Sequence, residues 1–235
     1  MRMDRLPMYV KGLDEKMEGG IPLGHVVLVC GVAGSMKTLL VLHTLYENVK
    51  RGNGRVLYVS LEEKRNLIIK RASKVGMKLD EIEDKFAIID LGYLRKQLKE
   101  FPSEKVDWLE SLISQIKTFK EDIGFDYLAL DSLNALYAIS EMKNPRDQLF
   151  YFFETLRDMG LTAFLITEMQ NEKSEFGQYG VEEFLADGII HTDLRRINSV
   201  MNLFLGVVKM RETKHDRKYY PLVITPNFEF EIVAK

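Results

Sequence analysis

Five short, continuously apolar runs recur along this chain with helical-pattern stretches between them. That alternation constrains the fold more than any other feature. HVVLVC (25–30), RVLYVS (55–60), KFAIID (85–90), FDYLALD (125–131) and TAFLIT (162–167) read as strands. A strand that is apolar at consecutive positions must be covered on both faces, as strands of a parallel sheet are. The stretches between them carry the helical period. In EKVDWLESLISQIKTFK, residues Val106, Leu109, Leu112, Ile113, Ile116 and Phe119 share one helical stripe. NPRDQLFYFFETLRDMG begins with Asn144 as N-cap and Pro145 at the first helical position, and Gly160 stands just past its end. Such alternation predicts βαβ units: an α/β fold with a mostly parallel central sheet and helices on both faces. In the last part of the chain, ADGIIHTDL, MNLFLGVVKM and YYPLVIT read as strands joined by polar turns, which predicts an antiparallel C-terminal extension on one sheet edge. No tandem repeat, low-complexity segment or Pro/Gly/Ser linker interrupts the sequence, so residues 1–235 are expected to form one domain.

The stretch GVAGSMKT, Gly31 to Thr38, follows directly on HVVLVC and opens the helical stretch TLLVLHTLYENVK. It is close to the phosphate-binding pattern G-x-x-x-x-G-K-[ST], and strand–loop–helix is the context such a loop requires. Backbone N–H groups of the loop curl around phosphates, the helix N-terminus faces them, and Lys37 reaches the terminal phosphates. Thr38 would hold Mg2+ through its hydroxyl. The pattern's glycine before the lysine is here Met36. A glycine spares the loop a Cβ where backbone crowds the nucleotide. A methionine is unbranched at Cβ and, with the negative φ of a helix start, turns away from the phosphates. The expectation is a site that binds nucleotide and hydrolyses it slowly.

Two further strand ends carry carboxylates. Asp131 closes FDYLAL, where a carboxylate can face Mg2+ and its water; taken alone, such an aspartate is more often a helix cap. Glu62 and Glu63 follow the second strand in YVSLEEKRN, where one can serve as general base for an attacking water; an acidic first helical turn is the plainer alternative. Three such features at successive strand ends lie on one edge of a parallel sheet, the edge where ligands bind.

These residues resemble a single KaiC-type domain of the RecA-like ATPases, a group that includes archaeal RadA paralogues, and the resemblance runs end to end. MEGGIPLGHVVLVCGVAGSMKT is similar to the family's opening G-G-[IL]-P-x-G, strand and phosphate loop. YVSLEE resembles its catalytic glutamate pair, YLALDS its Walker B strand, and ITEMQNEKSEFGQYGVEEFLADGII its T-E…Y-G-V-E-E-F-[AV]-D stretch. VKMRETKHD resembles the segment that, in the family, reaches a neighbouring subunit's nucleotide. The resemblance implies a RecA-like P-loop NTPase core and an ATPase using ATP and Mg2+. It implies nucleotide contacts from Gly31, Ala33, Gly34, Ser35, Met36, Lys37, Thr38 and Leu39. Mg2+ falls at Thr38 and Asp131, and catalysis at Glu62, Glu63, Asp131 and Arg211. Lys209, Arg211, Thr213 and His215 fall in the segment acting in trans, and Thr225 is placed with them. A homo-oligomer follows, a hexameric ring among the arrangements left open. Circadian-clock function and autophosphorylation do not.

Composition excludes several other classes. With 46% hydrophobic and 29% charged residues among 235, the chain is ordinary for a folded protein. A formal net charge of −2 gives no global attraction to nucleic acid or anionic lipid. The single Cys30, inside an apolar run, excludes an intrachain disulfide framework or cysteine zinc cluster and reads as a buried, inert thiol. The N-terminus has no apolar segment of the signal-peptide kind, and no run is long enough to span a bilayer, so the expectation is a cytoplasmic protein without a membrane partner. The four histidines show no ligand spacing: His25 and His43 read as structural. Trp108 reads as packing, and KHDRK (214–218) as a solvated turn. NEKSEFGQYG stands where recombinases keep a DNA-facing loop, but its two glutamates against one lysine argue against tight phosphate-backbone binding. Single-stranded DNA remains open as a partner. A DNA-binding recombinase paralogue and a non-enzymatic nucleotide-gated scaffold are the alternatives to an ATPase.

Overall fold

A computed structural model describes residues 4–91, 107–140, 142–169 and 175–233. The five expected strands form at β3 (Val26–Gly31), β4 (Val56–Ser60), β5 (Phe86–Asp90), β6 (Tyr127–Asp131) and β7 (Thr162–Glu168). They follow a small antiparallel pair, β1 (Arg5–Leu6) and β2 (Ile21–Pro22), which the apolar pattern does not reveal. Helices α1 (Lys37–Lys50), α2 (Arg65–Lys74), α3 (Trp108–Ile123), α4 (Leu133–Ile139), α5 (Pro145–Asp158) and the single turn α6 (Glu182–Leu185) intervene. The chain ends in β8 (Gly188–Ile197), β9 (Val200–Met210), β10 (Tyr219–Ile224) and β11 (Phe230–Ile232).

Among the described residues the main sheet has the order β11-β10-β9-β8-β3-β7-β6-β4-β5. Pairing is parallel from β8 through β5 and antiparallel from β8 outward to β11. The first of the three late strands therefore joins the parallel set, and the antiparallel extension starts only at β9. The cause is topological: the connection after β7, which includes α6, returns the chain to the start of β3, where Asp187 N donates to Val26 O, so β8 enters in the same direction. Val106 of the expected helical stripe lies outside the described residues.

Strand alternation divides the core in two. Val27 and Val29 face the side covered by α1 and α2, together with Tyr58, Phe164 and Ile166. Val26, Leu28 and Cys30 face the side covered by α3, α4 and α5. Each fully buried aliphatic or phenylalanine side chain contributes about 1.5–3 kcal/mol relative to exposure. Helix α5 starts at Pro145 after Asn144, buries Leu149, Phe152, Phe153 and Leu156 on one stripe, and ends before Gly160, whose φ of 65° only glycine adopts freely. Asp107 caps α3, accepting from the backbone N–H of Leu109 and Glu110 at 3.1 Å each. Trp108 is partly buried against the same core. Cys30 is buried, its thiol donating to the Ile190 carbonyl, and burial pushes its pKa up. No helix of the described residues is long and apolar enough to cross a membrane.

Candidate functional site

Register fixes which residues meet at the carboxyl edge. Gly31 pairs with Glu168, Ser60 with Asp131, and Asp131 with Ile166. The ends of four strands thus stand side by side below the start of α1. A cleft of about 360 Å3 opens there, lined by the loop residues Gly34, Met36, Lys37, Thr38 and Leu39, by Glu62 and Glu63 after β4, and by Asp131 and Ser132 after β6. Three distant segments of sequence are brought together as expected.

The loop is held from behind. Ser35 is buried, its hydroxyl donating to Val32 O at 2.7 Å and lying 2.9 Å from the Thr192 hydroxyl on β8. A Cβ on Gly31 would overlap the Thr192 carbonyl and the Ser35 hydroxyl, so this strand end tolerates no side chain. Ser35 and Gly31 therefore act through the shape they give the loop. The N-terminus of α1 has no side-chain cap. Its unsatisfied N–H groups and the positive end of the helix dipole face the cleft, which suits an anion.

Met36 does not take the negative φ expected of it. Its φ is 68° and its ψ 17°, in the left-handed region. The loop must pass through that region to bring Lys37 into α1, so the backbone keeps the course a glycine would give it. A residue with a Cβ bears roughly 1–2 kcal/mol for doing so. Met36 is 43% exposed and is among the residues lining the cleft. Met36→Gly is expected to fold normally and to raise stability by at most about 1 kcal/mol, because greater freedom of glycine in the unfolded chain offsets part of the relief. Met36→Val, β-branched in the same conformation, is expected to lower it. Thermal unfolding of the three proteins without nucleotide checks this, and a glycine variant less stable than the valine variant would show that Met36 is held by packing instead.

Lys37 is only 6% exposed. Its ammonium donates to Val32 O at 2.9 Å and stands 4.0 Å from Glu168. Burial pulls its pKa below the ordinary lysine range, and Glu168 and Asp131 pull the other way. A phosphate at the loop supplies the negative charge that this desolvated ammonium calls for. Thr38 Oγ1 donates to Asp131 Oδ2 at 2.9 Å, and the buried Tyr58 hydroxyl donates to the same oxygen at 2.6 Å. Burial first, then Asp131, raises the Tyr58 pKa well above the usual phenol range, so Tyr58 stays a donor. No group of three or more His, Cys, Asp or Glu among the described residues surrounds a single point. The oxygen pair of Thr38 and Asp131 instead suits Mg2+, which keeps most of its water and binds through one or two protein groups plus phosphate oxygens.

The two glutamates differ. Glu63 forms an ion pair with Arg71 of α2 at 2.6 Å, and Ser60 pins its backbone. Glu62 accepts from the Ser132 hydroxyl at 3.3 Å, directly beside Asp131. Sequence reasoning missed Tyr58, Ser132, Arg71 and Glu168. Glu168 gives the same signal as Asp131, a carboxylate closing an apolar strand, and could have been found by it. Arg71 and Tyr58 show no local signal.

The residues expected to act in trans do not line this cleft. Met210 pairs with Gly188, which pairs with Val27, so Lys209 and Arg211 stand at the amino edge of the sheet. The length of β3, roughly 16 Å at 3.3 Å per residue, separates that edge from the phosphate loop. Lys209 donates to the carbonyls of Glu183 at 3.0 Å and Ala186 at 2.6 Å. Arg211 is not paired with its sequence neighbours Glu212 or Asp216: it donates to Asp187 Oδ1 at 2.8 Å and Phe184 O at 3.1 Å. Thr213 accepts from Arg5 at 2.8 Å, and His215 lies in the same turn beside Asp216 O. Thr225 follows directly on β10, which runs opposite to β9 and so carries it away from Arg211; its hydroxyl accepts from Glu229 N. His43 is buried against Phe230 and Tyr9 O. Of NEKSEFGQYG, residues 171–174 lie outside the described residues.

Comparison with known proteins agrees with this geometry. The profile of the family described as "ATPase: KaiC" matches residues 6–233. A UPF0273 protein of Methanocaldococcus jannaschii is 34% identical, covering 95% of this chain and 94% of its own. Circadian clock protein KaiC3 of Synechocystis is 29% identical, covering 94% of this chain but only 44% of its own length. The crystal structure of a KaiC-like protein from Pyrococcus horikoshii superimposes with a TM-score of 0.83 at 28% identity, covering 98% of this chain and 99% of that one. With the matched profile spanning nearly the whole sequence and the segments expected to bind nucleotide meeting in one cleft, this chain belongs to the KaiC family of ATPases.

Proposed function

We propose that the protein binds ATP in the carboxyl-edge cleft and hydrolyses it slowly, with Mg2+, in a homo-oligomer whose subunits share each site. The observation that carries this reading is the meeting of the α1 N-terminus, Lys37 and the Thr38–Asp131 pair in one cleft. Loop N–H groups and the Lys37 ammonium bind the β- and γ-phosphates. Thr38 and Asp131 hold Mg2+, which when bound neutralises charge on the transferring phosphoryl group. Tyr58 fixes the Asp131 carboxylate. Glu62 takes a proton from the attacking water. Arg211 cannot reach the phosphate loop of its own chain, which supports its acting at a neighbour's site. The left-handed backbone at Met36 preserves the loop's course, which supports nucleotide binding there.

Lys37→Ala tests the site. It is expected to lose most ATP binding in a calorimetric titration, because no other cation in the cleft is so placed by the loop. Unchanged affinity would mean that GVAGSMKT is an ordinary turn.

A further inference from the structure

Asp187 forms a hub that the proposed reaction has not used. It is 6% exposed and stands between α6 and β8. Its Oδ2 accepts from the Val26 N–H at 2.9 Å and from Arg157 Nε at 2.9 Å. Its Oδ1 accepts from Arg157 Nη2 at 3.1 Å and from Arg211 Nη1 at 2.8 Å. The backbone closes the arrangement, with Arg211 N donating to Asp187 O at 2.8 Å and Asp187 N to Val26 O at 2.8 Å. Burial works to raise the Asp187 pKa, but the bonds from Arg157, Val26 and Arg211 outweigh it and hold the carboxyl below its usual range.

Arg211 is held from one side only. Of its five N–H donors, the bonds to Asp187 and Phe184 occupy one on each terminal nitrogen, and 49% of its side chain faces solvent. An arginine so anchored is oriented outward with its fork partly free, the arrangement wanted for phosphate recognition. Arg157 supplies Asp187 with its own bidentate partner. The buried carboxylate therefore stays neutralised when Arg211 turns part of its charge to another anion.

We propose that Asp187 is the positioning residue for Arg211, anchoring its guanidinium to the first residue of β3 and, with Arg157, presenting it to the nucleotide of a neighbouring subunit. This rests on the reading that Arg211 acts in trans. It also makes β3 a shared support, holding the arginine offered to a neighbour at one end and the chain's own phosphate loop at the other.

The test separates positioning from stability by where the defect is felt. Asp187→Asn keeps an acceptor for the Val26 N–H and removes the charge. It is expected to bind ATP as the parent does and to lower kcat about 10²-fold, the order that misplacing a reacting group costs. The defect should lie in trans: mixing with Lys37→Ala, which has an intact arginine and anchor but no working loop, should restore part of the activity. If Asp187→Asn does not fold, Asp187→Glu keeps the charge, moves the carboxylate by one methylene, and carries the same expectation. Normal kcat in the folded variant, or a fall that mixing does not relieve while mixed oligomers are verified by mass, overturns the proposal. Arg211→Ala run in parallel tells the two failures apart. If it too turns over normally, the shared site itself is wrong; if it alone is slow and rescued, only the role of Asp187 is wrong.

Discussion

Arg211→Ala is expected to bind ATP at its own phosphate loop and to hydrolyse it about 10³–10⁵-fold more slowly. The guanidinium is always charged and offers a planar fork to phosphate oxygens, whereas lysine offers a point charge. A surface arginine in an ordinary ion pair gives the opposite expectation, since such pairs contribute about 1 kcal/mol or less and touch no reaction. The geometry sharpens the choice. Arg211 stands at the amino edge of the sheet, level with the start of β3, while the loop stands at the other edge. A large effect on turnover therefore has to cross a subunit boundary. Mixing Arg211→Ala with Lys37→Ala should recover activity, because an intact loop then meets an intact arginine at some interfaces. Absence of recovery at every mixing ratio, with mixed oligomers present, would exclude a shared site.

Glu62→Gln is expected to preserve ATP binding and to lower single-turnover hydrolysis about 10²–10⁴-fold, as loss of a general base does. Glu63→Gln is expected to cost less. The pair is symmetrical in sequence, and the difference comes from the neighbours. Glu63 is bound to Arg71, which holds its carboxylate to α2. Glu62 reaches toward Ser132 beside Asp131, on the side of the cleft where the Thr38 hydroxyl stands. Rates measured in single turnovers isolate chemistry from product release. Near-parental rates in both variants would remove the pair from the mechanism, and a larger loss in the Glu63 variant would reverse the assignment.

Much of this protein is legible in its sequence, for a physical reason. Strands buried on both faces need apolar residues at every position, so HVVLVC, RVLYVS and FDYLALD mark themselves, and each ends where its polar residues begin. The candidate phosphate loop is built from consecutive residues, and Asp131 and the Glu62–Glu63 pair each close or follow an apolar strand, so all three can be singled out locally. Tertiary structure alone decided what depends on pairing between distant segments. The direction of β8 follows from where the connection after β7, with α6, delivers the chain. The conformation of Met36 follows from the course the loop must take between β3 and α1, which overrides the preference of its side chain. Tyr58 became a support for Asp131, and Glu63 a partner of Arg71, only through strand register and helix packing. The same holds for Arg211. Its neighbours in sequence, Glu212 and Asp216, are not its partners; Asp187, 24 residues earlier, is. Local chemistry specifies which groups a chain carries, but only packing of the whole sheet sets the distance between a charge and the carboxylate that holds it.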